Sequence, residues 1–244
     1  MTTSPRFTIV VPMRNEVACV ADMVAEVGAA CGPLGPFELI IVDDGSDDGT
    51  TEALRDLAAA TPWFRTIRHE ASCGQSAAVL TGVRAAAAPI CATLDGDLQN
   101  PPAELPKLLT PLLDDTTGHV GLVAGQRRVR MDTASKRIAS RLANALRRRI
   151  LHDDTRDTGC GLKGFRRDVF LALPFFDHIH RYLPALVRRE GYAVVLVDVE
   201  DRERTSGTSK YTNLNRAIVG ASDLIGVWWL MRRRKLPRIE RTDG

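Results

Sequence analysis

The sequence predicts an α/β protein with a mainly parallel central sheet flanked by helices. Three observations predict it. Short β-branched runs alternate with helical stretches through the first half of the chain. The runs are apolar throughout rather than alternating, as in strands buried on both faces. Pro12, Asp44 and Asp95 fall where three different runs end, at the sheet edge where ligands of such folds gather.

Phe7 to Pro12 reads as the first strand, and Asn15-Glu16 opens a helical stretch to about Ala30. Glu38 to Val42 is the second strand and ends in Asp43-Asp44-Gly45-Ser46; Thr50 to Ala60 follows as a helix. Phe64 to Arg68 is the third strand. Gly74 to Ala88 is an alanine-rich helix whose small residues, Gly82 among them, permit close packing on a sheet. Pro89 stops it, and Ile90 to Leu94 is the fourth strand. A helix from about Ala103 to Leu113 and a strand from Val120 to Ala124 come next. Ile138, Leu142, Leu146 and Ile150 then recur at helical spacing in a basic segment. Residues 157–165 read as a turn-rich loop, Tyr182 to Glu190 as a helix, Ala193 to Val199 as a strand and Asn213 to Arg234 as the last helix. No repeat or flexible linker divides the chain. Residues 1–211 read as one domain and residues 212–244 as an appendage.

Length allows a single full α/β core at 244 residues, and a net charge of +3 implies no polyanion partner. Charge is nevertheless unevenly placed. From Arg127 to Arg149 Asp132 is the one acid, and Arg232-Arg233-Arg234-Lys235 forms a second basic cluster. Nucleic-acid binding is a poor reading, because no aromatic residues interleave with the basic stretch. The five cysteines show no metal-type spacing and read as reduced thiols. No secretory leader is expected, and no apolar run reaches the ~20 residues needed to span a bilayer.

Leu94-Asp95-Gly96-Asp97-Leu98-Gln99 places two carboxylates and an amide oxygen at the exit of the fourth strand. Such oxygens on one turn can converge on a hard divalent cation that also binds phosphates. Asp43 to Gly49 invites a calcium-loop reading, but the closing position is Arg55 and the preceding segment is a strand. Asp47, Asp48 and Thr50 fit a helix-capping turn, whereas Asp44 can accept from a base N–H. His178 and His180 lack a third ligand and read as structural.

Val11-Pro12-Met13-Arg14-Asn15-Glu16, Val42 to Ser46, Leu94 to Gln99 and Arg204 to Tyr211 together resemble a family 2 glycosyltransferase. The branch it resembles is that of dolichol-phosphate mannose synthase and its bacterial polyprenyl-phosphate counterparts. The resemblance implies a Rossmann-like GT-A fold and a UDP- or GDP-sugar donor. Pro12, Arg14, Glu16 and Asp44 would hold the nucleoside, with Asp95 near ribose and sugar. Asp97 and Gln99 would hold Mg²⁺ or Mn²⁺. Arg127 would lie near the transferring sugar, and Asp157 would line the acceptor groove. Lys136, Arg137 and Ser140 match the acceptor-phosphate site; Arg204 and Lys210 match a phosphate-clamping pair. Arg14 stands where many relatives carry an aromatic residue, and its guanidinium plane can also stack on a base.

Transfer breaks a bond from the anomeric carbon to a diphosphate, so a divalent ion and fixed cations are wanted where charge develops. A phosphomonoester acceptor is largely dianionic at neutral pH and needs cationic docking rather than a strong base. The basic run therefore favours a polyprenyl phosphate acceptor over a hydroxyl; a non-catalytic nucleotide-binding membrane scaffold is the rival from another class. Arg147-Arg148-Arg149 reads as a solvated helix face. The last helix carries apolar residues at helical spacing, two tryptophans and the basic cluster, as in a helix lying on an anionic membrane surface. The expected location is cytoplasmic, peripheral on the inner face of the cytoplasmic membrane, with a homo-oligomer left open.

Overall fold

The computed structural model describes residues 4–127, 147–151, 153–202 and 213–235, with side chains of the last stretch from residue 219. Seven strands form one sheet: β1 (Phe7–Met13), β2 (Phe37–Asp43), β3 (Phe64–Arg68), β4 (Ile90–Thr93), β5 (Val120–Arg127), β6 (Lys163–Arg166) and β7 (Ala193–Val199). Their spatial order is β3-β2-β1-β4-β6-β5-β7. Every neighbouring pair is parallel except those of β6, which runs antiparallel to β4 and to β5. Six strands thus point their carboxyl ends at one edge.

Around the sheet lie α1 (Val20–Cys31), α2 (Thr50–Ala60), α3 (Gln75–Ala85), α4 (Leu105–Leu113), α5 (Arg167–Ala172), α6 (Leu183–Arg189) and α7 (Asn213–Arg232). The unbroken apolar strands are explained by a core on each face. Ile9 and Val11 of β1 pack with Met23, Val27, Leu54 and Leu108 on one side, while Val10 packs with Val42, Val83 and Leu186 on the other. A Cβ at Gly82 would overlap the Val10 side chain, so α3 lies directly on β1 as its small residues foretold.

Four features differ from the expectation. Residues 163–166 are not loop but β6, and α5 follows at once. A four-residue run of Lys, Gly, Phe and Arg carries no period-2 pattern; pairing with β4 and β5 makes it a strand. Arg147 is not solvated. It is buried, donating to Asp153 Oδ2 at 2.7 Å and to the Thr155 carbonyl at 2.9 Å, while Arg148 and Arg149 are exposed. The Val17–Leu34 stretch is, by length and composition, apolar enough to cross a membrane. Here, however, α1 buries Val20, Met23, Val24, Val27 and Cys31 in the core. Finally, the apolar stripe read along α7 divides between two faces. Leu224, Val227 and Met231 pack on the core, whereas Ile225, Trp228 and Trp229 are exposed.

Candidate active site at the carboxyl edge of the sheet

The β1, β2 and β4 exits meet in a cleft of two adjoining chambers that share Pro12, Gln75 and Asp95. The outer chamber, about 520 Å³, is lined by Arg14, Glu16, Asp44, Ser72 and Asp97 among others. The inner one, about 450 Å³, is lined by Gln99, Arg127, Thr158, Lys163, His180 and Arg181 among others. The cleft thus brings together Pro12, Arg14, Glu16, Asp44, Asp95, Asp97, Gln99 and Arg127 from the sequence-predicted set. Lys136, Arg137, Ser140, Arg204 and Lys210 lie outside the described residues.

Asp44 ends β2 and organises the outer wall. Its carboxylate accepts from Ser72 Oγ at 2.6 Å, Cys73 N at 2.8 Å, Gly74 N at 2.9 Å and His69 Nδ1 at 2.8 Å. Burial alone would raise its pKa; these hydrogen bonds outweigh burial and hold it down to about 2. Four protein donors occupy the oxygens that a base N–H would need, so Asp44 shapes the chamber through the 69–74 loop. Gly45 belongs to the same device: its φ is +72°, and a Cβ there would meet Ser72 N at 2.9 Å. Asp44, His69 and Cys73 lie close enough together to suggest a metal site. The donors on Asp44 and the Thr81 hydroxyl 2.9 Å from His69 Nε2 account for the first two as a structural network.

The depressed Asp44 value stabilises the fold above the unfolded carboxylate pKa and is lost as pH falls towards 2. Asp44→Asn should therefore cost roughly 2 kcal/mol at pH 7, and the gap to wild type should close in acid. Urea unfolding at pH 7 and pH 2.5 checks this; equal loss at both pH values would refute it.

Asp95 follows β4 and stands between the chambers. Its Oδ1 accepts from Gln75 Nε2 at 2.8 Å. Burial, then the Asp97 charge, push its pKa up to about 6 against the opposing pull of Lys163, Arg127 and Gln75. Gly161 touches it so closely that a Cβ would fall on the carboxylate. Between Asp97 and Gln99, Leu98 has φ +58°, a left-handed backbone that costs a β-carbon residue about 1–2 kcal/mol. That turn sends Asp97 to the outer chamber and Gln99 to the inner. The Gln99 side-chain amide has no hydrogen bond among the described residues.

Arg127, at the end of β5, is held by Asp157: Nε donates to Oδ2 at 2.6 Å and an Nη to Oδ1 at 3.2 Å. Asp201, just past β7, lies 3.6 Å away on the other side. Asp157 thus reaches the cleft through Arg127 and lines neither chamber. Burial raises the Asp201 pKa, Arg127 lowers it, and Asp157 and Asp97 raise it further. Its segment is tied to the 95–99 turn, since Arg202 N donates to the Gln99 carbonyl at 2.8 Å and Asn100 Nδ2 to Asp201 at 3.2 Å.

The Asp97 charge thus pushes up the pKa of both Asp95 and Asp201 around one turn that also offers the Gln99 amide. An all-oxygen, acid-rich set of this kind fits a hard divalent cation.

Sequence reasoning missed Gln75, Lys163, His180, Arg181 and Asp201. Asp201 was reachable by the strand-end argument used for Asp44 and Asp95. Lys163 lay hidden in a segment read as loop. Burial, with help from Lys163 and Arg181, depresses the His180 pKa to about 3, and its Nδ1 meets Ser76 Oγ at 2.9 Å.

The chain matches the model of "Glycosyl transferase family 2" over residues 8–173. It is 32% identical over 206 residues to an undecaprenyl-phosphate 4-deoxy-4-formamido-L-arabinose transferase of Aeromonas hydrophila, covering 84% of this chain and 62% of that protein. It is 33% identical over 207 residues to the Edwardsiella ictaluri protein of the same name, with 84% and 62% covered. The chain thus spans somewhat less than two thirds of the length of these relatives. Among solved structures, a mannosyltransferase of Pyrobaculum calidifontis in complex with GDP-Man and Mn²⁺ superposes with a TM-score of 0.65 at 20% identity, over 97% of this chain and 67% of that one. Mannosyl-3-phosphoglycerate synthase of Rubrobacter xylanophilus gives a TM-score of 0.69 at 19% identity, over 96% and 77%. These neighbours establish the GT-A fold that the mixed, mostly parallel sheet describes. With the family model covering more than half of its length, the chain belongs to glycosyl transferase family 2.

Proposed function

We propose that this protein is a metal-dependent, inverting glycosyltransferase that moves one sugar from a UDP- or GDP-sugar to a polyprenyl phosphate. The named activity of the relatives supports this reading. The observation that carries the choice of acceptor is the chemistry of the inner chamber. A hydroxyl acceptor needs a base, but His180 is held near a pKa of 3 by burial and neighbouring cations. Asp157 is committed to Arg127. The carboxylate that lines the inner chamber, Asp95, accepts from Gln75 on the donor side. What the chamber offers is Arg127, Lys163 and Arg181, which suit an acceptor that already carries its negative charge.

In this reading the nucleoside occupies the outer chamber between Pro12, Arg14 and Glu16, with Asp44 holding the loop that closes it. Asp97 and Gln99 would hold Mg²⁺ or Mn²⁺, which would supply charge neutralisation for the departing diphosphate. Asp95 and Gln75 orient the sugar at the boundary of the chambers. Arg127, fixed by Asp157, presents a preorganised positive charge there. Lys136, Arg137 and Ser140 complete acceptor binding, and Arg204 and Lys210 clamp the leaving phosphates.

Residues 1–211 then form the catalytic unit and residues 212–244 its membrane-facing appendage. On α7, Ile225, Trp228 and Trp229 are exposed, and Arg232 and Arg233 lie 4.3 and 5.4 Å from the rings of Trp228 and Trp229. Apolar and aromatic residues beside cations are suited to the boundary of an anionic bilayer. This supports a peripheral enzyme on the cytoplasmic face, where a polyprenyl tail stays in the membrane. Flotation on vesicles containing anionic lipid should fall at least ~5-fold in Trp228→Ala/Trp229→Ala, since burying two such rings contributes about 3 kcal/mol or more. Equal flotation would remove α7 from the membrane account.

The enzyme assay uses labelled donor with undecaprenyl phosphate. A chloroform-extractable, acid-labile product is expected. Label only on a hydroxyl acceptor would overturn the choice of acceptor, and no transfer with any donor would favour a non-catalytic scaffold.

A further inference from the structure

The two chambers differ in charge. Apart from Arg14, the ionisable groups of the outer chamber are the acids Glu16, Asp44, Asp95 and Asp97. The inner chamber is lined by three strong cations, Arg127, Lys163 and Arg181, against one acid, Asp95. Arg127 is already ion-paired with Asp157 at 2.6 Å. That leaves Lys163 and Arg181, neither of which has an ion pair among the described residues.

Lys163 is the more telling of the two. It is 3% exposed, on the strand inserted between β4 and β5. Its ammonium donates to the Cys160 carbonyl. An ammonium has three donors, and a buried cation held by one carbonyl is costly unless something else meets it. Burial lowers its pKa, with Cys160, Asp95 and Asp157 pulling the other way. Arg181 enters the same chamber from the turn before α6. Both cations act on the His180 ring. A neutral imidazole at that position adds polarity without cancelling charge.

We propose that Lys163 and Arg181 form an anion-recognition site in the inner chamber, which takes an anionic group of one of the two substrates. The group is either the phosphate of the acceptor or a carboxylate on the transferred sugar; both present oxygens that a Lys–Arg pair binds through charge-assisted hydrogen bonds. This rests on the glycosyltransferase reading and extends it to residues in neither the metal turn nor the basic segment.

The test measures binding by calorimetry with Mn²⁺ present, in wild type, Lys163→Met, Arg181→Met and the charge-keeping Lys163→Arg. The probes are farnesyl phosphate, the pair UDP-glucose and UDP-glucuronic acid, and the pair GDP-mannose and GDP-mannuronic acid. If the site takes the acceptor, both Met variants should weaken farnesyl phosphate at least ~10-fold, about 1.4 kcal/mol. UDP-glucose and GDP-mannose, whose sugars are uncharged, should then bind unchanged. If it takes the sugar, wild type should prefer the acidic donor and both Met variants should lose that preference. Lys163→Arg should retain most of the effect in either case. Unchanged affinities for all probes in folded Met variants would overturn the proposal. Failure of wild type to bind any nucleotide sugar would instead overturn the transferase reading beneath it. Thermal melts of each variant separate lost recognition from lost folding.

Discussion

Asp97→Ala is expected to lower kcat/KM about 10³-fold or more, equivalent to ~4 kcal/mol of transition-state stabilisation. The size follows from what the side chain does. A sugar diphosphate departs as a polyanion, and the protein's own cations near the cleft are partly spent: Arg127 is bound to Asp157 at 2.6 Å and faces Asp201 at 3.6 Å. Without Asp97 the turn loses the carboxylate proposed to hold the ion, and Gln99 brings no charge to replace it. Chelation should mimic the substitution in wild type, and added Mn²⁺ or Mg²⁺ should restore activity in wild type but not in the variant. Initial-rate kinetics across a metal titration read both effects. Activity in the variant above a tenth of wild type, or activity surviving full chelation, would exclude a metal held at the β4 exit.

Asp95→Asn should separate stability from activity. The folded-state pKa of Asp95, about 6, lies above the value of an unfolded aspartate, so the folded protein binds that proton more tightly. Stability from this group is fully present below about pH 4 and is lost as pH rises through 6. At pH 7.5 the ionised carboxylate is therefore a burden on the order of 2 kcal/mol, reduced by its partial contact with the cleft. Asn keeps the shape and the bond from Gln75 while removing the charge beside Asp97. The variant should melt several degrees higher than wild type at pH 7.5, equal it near pH 4, and lose most of its turnover. A lower melting temperature at pH 7.5 would show that Lys163 and Arg127 already over-compensate the charge.

Much of this was legible in the sequence, for identifiable reasons. β1, β2 and β4 are apolar because both faces of each are covered, and this leaves an unbroken pattern that needs no tertiary knowledge to read. The acids at their ends stand out because nothing in a buried strand accounts for them. β6 gave no such sign. Its four residues include a glycine and two cations, and they become a strand by filling the gap between β4 and β5. Arg147 illustrates the same limit in a helix: basic residues in a row read as solvated until Asp153 and the Thr155 carbonyl are found behind one of them.

The sequence by itself determined the alternation of elements, the parallel sheet, the family motifs and the carboxyl edge as the place of chemistry, because these depend on local pattern and on rules of chain connection. Tertiary structure alone decided how charges are shared. It tied Asp44 to the 69–74 loop, gave Arg127 to Asp157, and set Lys163 beside Asp95 from a strand distant in sequence. Electrostatic coupling depends on distance in space and on loss of water, and neither is written in the order of residues along a chain.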